Sequence, residues 1–308
     1  MKPAALLVLG LSLLAPRAQA QTTTPVPDGF PAVGQLPIIT VLSAGSEPRR
    51  PLRYHVAPDY RGHLDMDMTM SIGMRMDGQS MPPIDMPTIR TGAELVVTSV
   101  SPEGDITYTM AYTGMSAPDA NAPMPPASLD AMNAEIRKVT GTVRVSSRGI
   151  VSTFDLDASA ITNPQTRQLM DSLRNSASGL SVALPEDALG IGARWQTRTA
   201  ANLTMTLFQT MECELIALDA TTATIRTTLK QTAPAQPVVN PALPPEAQMS
   251  LESMTGEGGA TMQIVFSSLV PESEGTAKTT ANMVVSIAGA TQRLTVESTM
   301  KMKVAHSQ

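Results

Sequence analysis

The chain has 308 residues, with 22 basic and 27 acidic side chains and a net charge of −5. Without a dense basic run, that balance excludes nucleic acid as a partner. A lone cysteine, Cys213, excludes an intramolecular disulfide, and four Tyr, four Phe and one Trp are few aromatics for a chain of this size.

The first twenty residues have the form of an export signal. Lys2 supplies the positive start, Ala4 to Ala15 is apolar except for Gly10 and Ser12, and Ala18-Gln19-Ala20 is a small-x-small cleavage site. The apolar run is too short to span a bilayer, and no later segment is long enough. Residues 1–20 therefore read as a signal peptide, and the mature protein is expected to be periplasmic or secreted. Cleavage after Ala20 removes Lys2 and Arg17 and makes the chain two units more acidic. Residues 21–36 are rich in Thr and Pro and read as a disordered leader.

Residues 37–160 read as a first β half. From Leu64 to Met76 the chain alternates strictly. Leu64, Met66, Met68, Met70, Ile72, Met74 and Met76 share one face, and Asp65, Asp67, Thr69, Ser71, Gly73 and Arg75 the other. Period-2 alternation is the mark of a half-buried strand. Ile106, Tyr108, Met110 and Tyr112 repeat the pattern, as do Ile150, Ser152, Phe154 and Leu156. Pro102-Glu103-Gly104-Asp105 and Ser147-Arg148-Gly149 mark turns, and a short helix is expected over Ser128 to Val139.

Residues 161–180 read as a linking helix. Thr162 or Asn163 supplies an N-cap, Pro164 suits the first helical position, and Leu169, Met170, Leu173 and Ala177 form a stripe that stops at Gly179. Residues 181–308 read as a second β half. Its alternating runs include Ala201 to Leu207, Met211 to Ala217, Ala223 to Leu229, Met262 to Phe266, Ala277 to Ile287 and Leu294 to Val304. A further short helix is expected over Pro245 to Met254. The halves resemble each other: Glu94-Leu95-Val96-Val97, Pro125-Pro126 and Thr140-Gly141 recur as Glu214-Leu215-Ile216-Ala217, Pro244-Pro245 and Thr255-Gly256.

The expected fold is mostly β: a large curved antiparallel sheet or barrel of ten or more strands, in two similar halves, with one main helix and one or two short ones. One-sided strands indicate antiparallel pairing. A wall of Met, Ala, Val, Leu and Thr is soft, and a wide barrel of that composition encloses a cavity. An outer-membrane barrel needs aromatic girdles that four Tyr and one Trp cannot supply.

The chain carries no HExxH, GxSxG, CxxC, P-loop or GxGxxG pattern. The Asp65–Asp67 pair and the separated His55, His63 and His306 read as solvated surface groups, and Cys213 as a buried inert thiol. Met-x-Met spacing at Met66 to Met70, Met74 to Met76 and Met300 to Met302, with Met81 and Met86 flanking Pro82-Pro83, raises Cu(I) or Ag(I) binding as an alternative. Alternate residues of one strand stand ~7 Å apart, which is too wide for neighbours to share an ion, so no metal site is expected.

Leu184-Pro185 followed by Gly190-Ile191-Gly192-Ala193-Arg194-Trp195, with the export signal and paired β halves, resembles an uncharacterised family of exported bacterial β-rich proteins. The strand–helix balance is more distantly similar to the periplasmic lipoprotein carriers. That likeness implies a curved antiparallel sheet with helices across its mouth, and fold alone does not fix function. The expectation is a non-enzymatic exported protein with no cofactor. Its partner would be a lipid or other hydrophobic small molecule in a Met-lined cavity, the lining assigned to Met66, Met68, Met70, Met110, Met205, Met283 and Met300. A structural or protein-interaction module with a solid core is the alternative.

Overall fold

The computed structural model describes residues 25–118, 126–161, 182–202, 205–238, 248–287 and 290–307. Its strands in chain order are β1 (Ile38–Ser43), β2 (Arg61–Met76), β3 (Gln79–Ser80), β4 (Ile84–Asp85), β5 (Ile89–Val100), β6 (Ile106–Ser116), β7 (Thr140–Val145), β8 (Val151–Asp157), β9 (Arg194–Asn202), β10 (Thr206–Leu218), β11 (Thr222–Ala233), β12 (Gln236–Val238), β13 (Gln248–Val265), β14 (Glu272–Ile287) and β15 (Ala290–Ser307). One helix, α1 (Pro126–Ile136), precedes β7. All fifteen strands join one antiparallel sheet in the order β1-β9-β10-β11-β13-β14-β15-β2-β5-β6-β7-β8, with β3, β4 and β12 paired off that path. The sheet is curved and not closed, so β1 and β8 are its two edges.

The alternation read from the sequence carries through the ladders. β15 pairs with β2 from Leu294 opposite Met76 to Ser307 opposite His63 without a register shift. Every apolar residue of β2 therefore stays on one face. Curvature enters elsewhere. Bulges interrupt β5–β6 twice, β10–β11 at Leu215/Ala217 and β13–β14 at Leu251/Ser253. Each adds a residue on one strand and sharpens the local bend. At the tip of β2 the two-residue turn Asp77-Gly78 has positive φ at both positions (47° and 83°), the geometry that tight hairpins require.

The two ends of the sheet are built differently. At one end the chain returns across the sheet. Tyr54 donates its backbone N–H to Ser147 in the β7–β8 turn (2.8 Å), and the next residue, His55, donates to Phe266 beyond β13 (2.7 Å). Leu184 bonds Arg148, and Arg50 and Leu189 form an isolated bridge. This strip ties together loops from distant parts of the sheet and covers a solid cluster that includes Leu52, Leu184, Trp195, Leu215, Ile225 and Ile264. Trp195 is wholly buried, and its indole N–H donates to the Ala183 carbonyl at 3.1 Å. At the other end β2, β13, β14 and β15, each 16–18 residues long, run past the shorter β5 to β8.

The expected short helix is present as α1, held to β6 by Asn133, which bonds both backbone groups of Met115, and by Arg137, which donates to Thr113 (2.8 Å). The helix expected over Pro245 to Met254 is not: from Gln248 onward the chain is strand, with Met249 opposite Val285 and Leu251 opposite Met283. Local spacing there fits either conformation, and the long β13–β14 ladder decides for strand. The linking helix expected over Thr162 to Gly179 lies outside the described residues. Within the expected leader, Phe30 stacks edge-on against Phe208 (centroids 5.4 Å apart) under the Arg198 guanidinium, so residues 25–36 are tied to the sheet rather than free.

Candidate ligand cavity

The concave face holds a partly open cavity of about 340 Å³. It lies between the solid cluster at the covered end and a second cluster around Leu95, Met110, Ile136 and Val139. Its lining is mostly apolar, and no Asp, Glu, Lys, Arg or His is among the described lining residues.

The cross-strand register explains why there is room. Successive rungs across β13, β14, β15 and β2 read Gly258–Ala277–Met300–Met70, then Ala260–Gly275–Met302–Met68, then Met262–Ser273–Val304–Met66. On β13 and β14 these inward positions are glycine, alanine and serine except for Met262, and on β15 and β2 they are methionine except for Val304. A Cβ added at Gly275 would come within 2.7 Å of Ala260 Cβ and 2.9 Å of the Gly259 carbonyl, so this part of the wall is already in backbone-to-backbone contact. Small residues on one side and unbranched thioethers on the other leave a hollow with adaptable walls. The opposite wall comes from β5 to β8, through Ala93, Leu95, Tyr108, Met110, Val143 and Phe154.

Of the lining assigned from sequence, Met66, Met110 and Met300 line this cavity. Met68 and Met70 share their strand face but stand outside the lining. Met205 and Met283 pack instead around a separate cluster of Leu207, Ala233 and Leu251. Sequence reasoning missed the other methionines of the lining, Met211, Met262 and Met302, although all three lie on the apolar phase of their strands.

It also missed the tyrosines. Tyr54, Tyr108 and Tyr112, three of the four in the chain, line the cavity. Their hydroxyls have no hydrogen-bond partner among the described residues, whereas the fourth, Tyr60, bonds Ser268 at 2.9 Å. Burial pushes all three phenols above their ordinary pKa, Tyr108 to about 12, and Tyr54 is raised further by its neighbour Tyr108. All three are therefore neutral donors at physiological pH. Tyr108 and Tyr112 were legible as strand residues, but Tyr54 precedes β2 and reaches the cavity only through the covering strip.

The remaining candidate groups fall outside the cavity. Asp67 forms a bidentate pair with Arg90 (2.6 and 2.7 Å), which holds its carboxyl below the usual range, and Asp65 stands 3.4 Å from His63. His55 is exposed. His306, expected at the surface, is largely buried at 18% side-chain exposure, with Nδ1 3.4 Å from Glu272, because it falls on the inward phase of β15 opposite Leu64. Burial pushes the Cys213 thiol up to about 12, which keeps it protonated. Among the described residues no three His, Cys, Asp or Glu side chains gather as a metal-binding group.

No protein-family model and no curated protein matches the chain. Among solved structures, a porin variant from Rh. blastica aligns at 6% identity with a TM-score of 0.18, covering 79% of this chain and all of the porin. A chain described as "Asymmetric conductivity of engineered proteins" aligns at 8% identity with the same TM-score and coverage. Likeness at that level carries no argument about fold or activity.

Proposed function

We propose that this protein is a non-enzymatic, exported binder of a hydrophobic small molecule or lipid, held in the cavity between β5–β8 and β11–β15. The observation that carries the reading is the partly open apolar space itself. A volume of about 340 Å³ falls within the ~300–1,000 Å³ typical of small-molecule pockets. Apolar walls with a few placed polar groups are the usual composition of such sites. Here the polar groups are neutral phenols and the hydroxyls of Thr91, Thr227, Ser273 and Thr276, which favour a ligand with an uncharged acceptor, such as an ester, amide or hydroxyl oxygen, on an apolar body. A charged ligand would have no counter-ion in the lining, and burying an unpaired charge is costly. Export is supported by Lys2, the apolar run and Ala18-Gln19-Ala20 of the signal peptide read in residues 1–20.

Native mass spectrometry of the full mature chain, purified without detergent and followed by organic extraction, tests the reading. A bound species that is released by solvent and absent from an Ala277→Phe variant of unchanged fold supports it. A chain that is always ligand-free, and that takes up no fluorescent acyl probe, overturns it.

A further inference from the structure

We propose that the paired methionines of β2 and β15 form a binding site for a single soft monovalent ion, Cu(I) or Ag(I), on one wall of the cavity. Cβ atoms ~7 Å apart along one strand led to no metal site being expected, but that spacing leaves out the two bonds from Cβ to sulfur; one strand offers two such donors, and the fold pairs two strands. Met70 lies directly opposite Met300, and Met68 directly opposite Met302, on adjacent rungs of an unshifted ladder. Met300 and Met302 face the cavity, and Met68 and Met70 share the phase of Met66, which also faces it. Four thioethers from two distant segments thus occupy the corners of one small rectangle.

The dimensions suit one ion. Directly opposed Cβ atoms on an antiparallel pair stand ~5 Å apart and alternate residues on a strand ~7 Å apart, so each Cβ lies about 4.3 Å from the centre of the rectangle. A methionine sulfur sits two bonds beyond Cβ, and metal–sulfur bonds are about 2.3 Å. An ion just above the centre is therefore within reach of all four sulfurs, without a bulge or backbone shift. All four methionines are half-buried, and Met300 and Met302 line the hollow. The neighbouring inward positions on β14 are Ala277 and Gly275, too small to crowd them.

The donor set selects the ion. Thioethers are soft ligands that favour Cu(I) over Zn(II) or Mg(II). The neighbouring charges, Asp67, Lys301 and Lys303, lie on the opposite face of the ladder. A monovalent ion in a neutral sulfur cage carries a smaller desolvation cost than a divalent one.

The test uses the mature full-length chain under anaerobic conditions, with Cu(I) supplied as its bicinchoninate complex. The expected result is withdrawal of one equivalent of Cu(I), at least a tenfold loss of affinity in the variant with Met68, Met70, Met300 and Met302 all replaced by Leu, and full affinity in Met81→Leu/Met86→Leu. Met-to-Leu exchange conserves volume. If the fourfold variant does not fold, Met70→Leu alone is expected to weaken binding severalfold. One equivalent of Ag(I) should also shift the methyl carbon resonances of these four methionines and no others. Failure to withdraw Cu(I), unchanged affinity in the leucine variants, Ag(I) shifts centred on Met81 and Met86, or equal retention of Zn(II) would each overturn the site. None of these outcomes bears on the acyl-probe experiment, so the two proposals stand or fall separately.

Discussion

The covered end of the sheet and its open Met-rich wall share one strand, β13, but not packing. At the covered end, branched and aromatic side chains from the sheet meet a strip of chain laid across them. Trp195, Leu184, Leu189, Leu215 and Ile225 are fully buried there. Along the open wall, β13, β14, β15 and β2 carry mostly methionine, alanine and glycine inward, and Met66, Met68, Met70, Met300 and Met302 are only half-buried. β13 passes from one regime to the other, with Ile264 wholly buried near its end and Gly258 and Gly256 further up. The lesson is that alternation makes a strand, whereas the size and branching of the inward residues decide whether the space beside it is filled.

The sharpest way to break the covered end is Trp195→Ala. It removes the largest fully buried side chain and the indole hydrogen bond to Ala183, and should cost about 3–5 kcal/mol. Urea unfolding followed by circular dichroism measures it. The contrast between regions is then tested directly by Leu215→Ala against Met302→Ala. The first opens a cavity in the packed cluster and should cost about 3 kcal/mol, and the second enlarges an existing hollow at a half-exposed position and should cost about 1 kcal/mol. Equal costs would show that the open wall is packed as tightly as the covered end.

Glycine substitutions probe the wall at finer scale. Gly275→Ala drives a Cβ into Ala260 and the Gly259 carbonyl and should destabilise by about 1–3 kcal/mol. Gly73→Ala, where the nearest atoms are 3.9 Å away, should stay within about 0.5 kcal/mol of the native protein. Thermal melts of the two variants side by side decide this. The smallest expected effect is at the β10–β11 turn. Hydrogen bonds from the Thr222 side chain and from the Thr221 and Thr222 backbone N–H groups hold the Asp219 carboxyl down at about 2. A carboxylate depressed in the folded state stabilises above its unfolded pKa of ~3.9, and the contribution is lost as pH falls through about 2. The native protein should therefore melt slightly above Asp219→Asn at pH 5, and the gap should close by pH 2.

Much of the fold was legible because the alternation is strict. The inward phase of β2, β6, β11, β14 and β15 follows from residue order alone, and so does the preference for antiparallel pairing. Where the local pattern was ambiguous, as at Pro245 to Met254, the long partner strand β14 overrode it. The candidate site was legible only in part. Met66, Met110 and Met300 stand on alternating strands, whereas Tyr54 belongs to an irregular segment whose position depends on hydrogen bonds to Ser147 and Phe266, residues far away in sequence.

What the sequence determined by itself was the identity of each face, because side-chain direction in a strand is a local property with period 2. It could not determine which faces meet. That Met70 sits opposite Met300, that Gly258 and Ala277 share a rung with them, and that the chain doubles back to cover one end and leave a hollow beside it are all long-range register decisions. Register is settled by the summed pairing of whole ladders, so only the tertiary structure could turn a run of alternate methionines into one wall of a cavity.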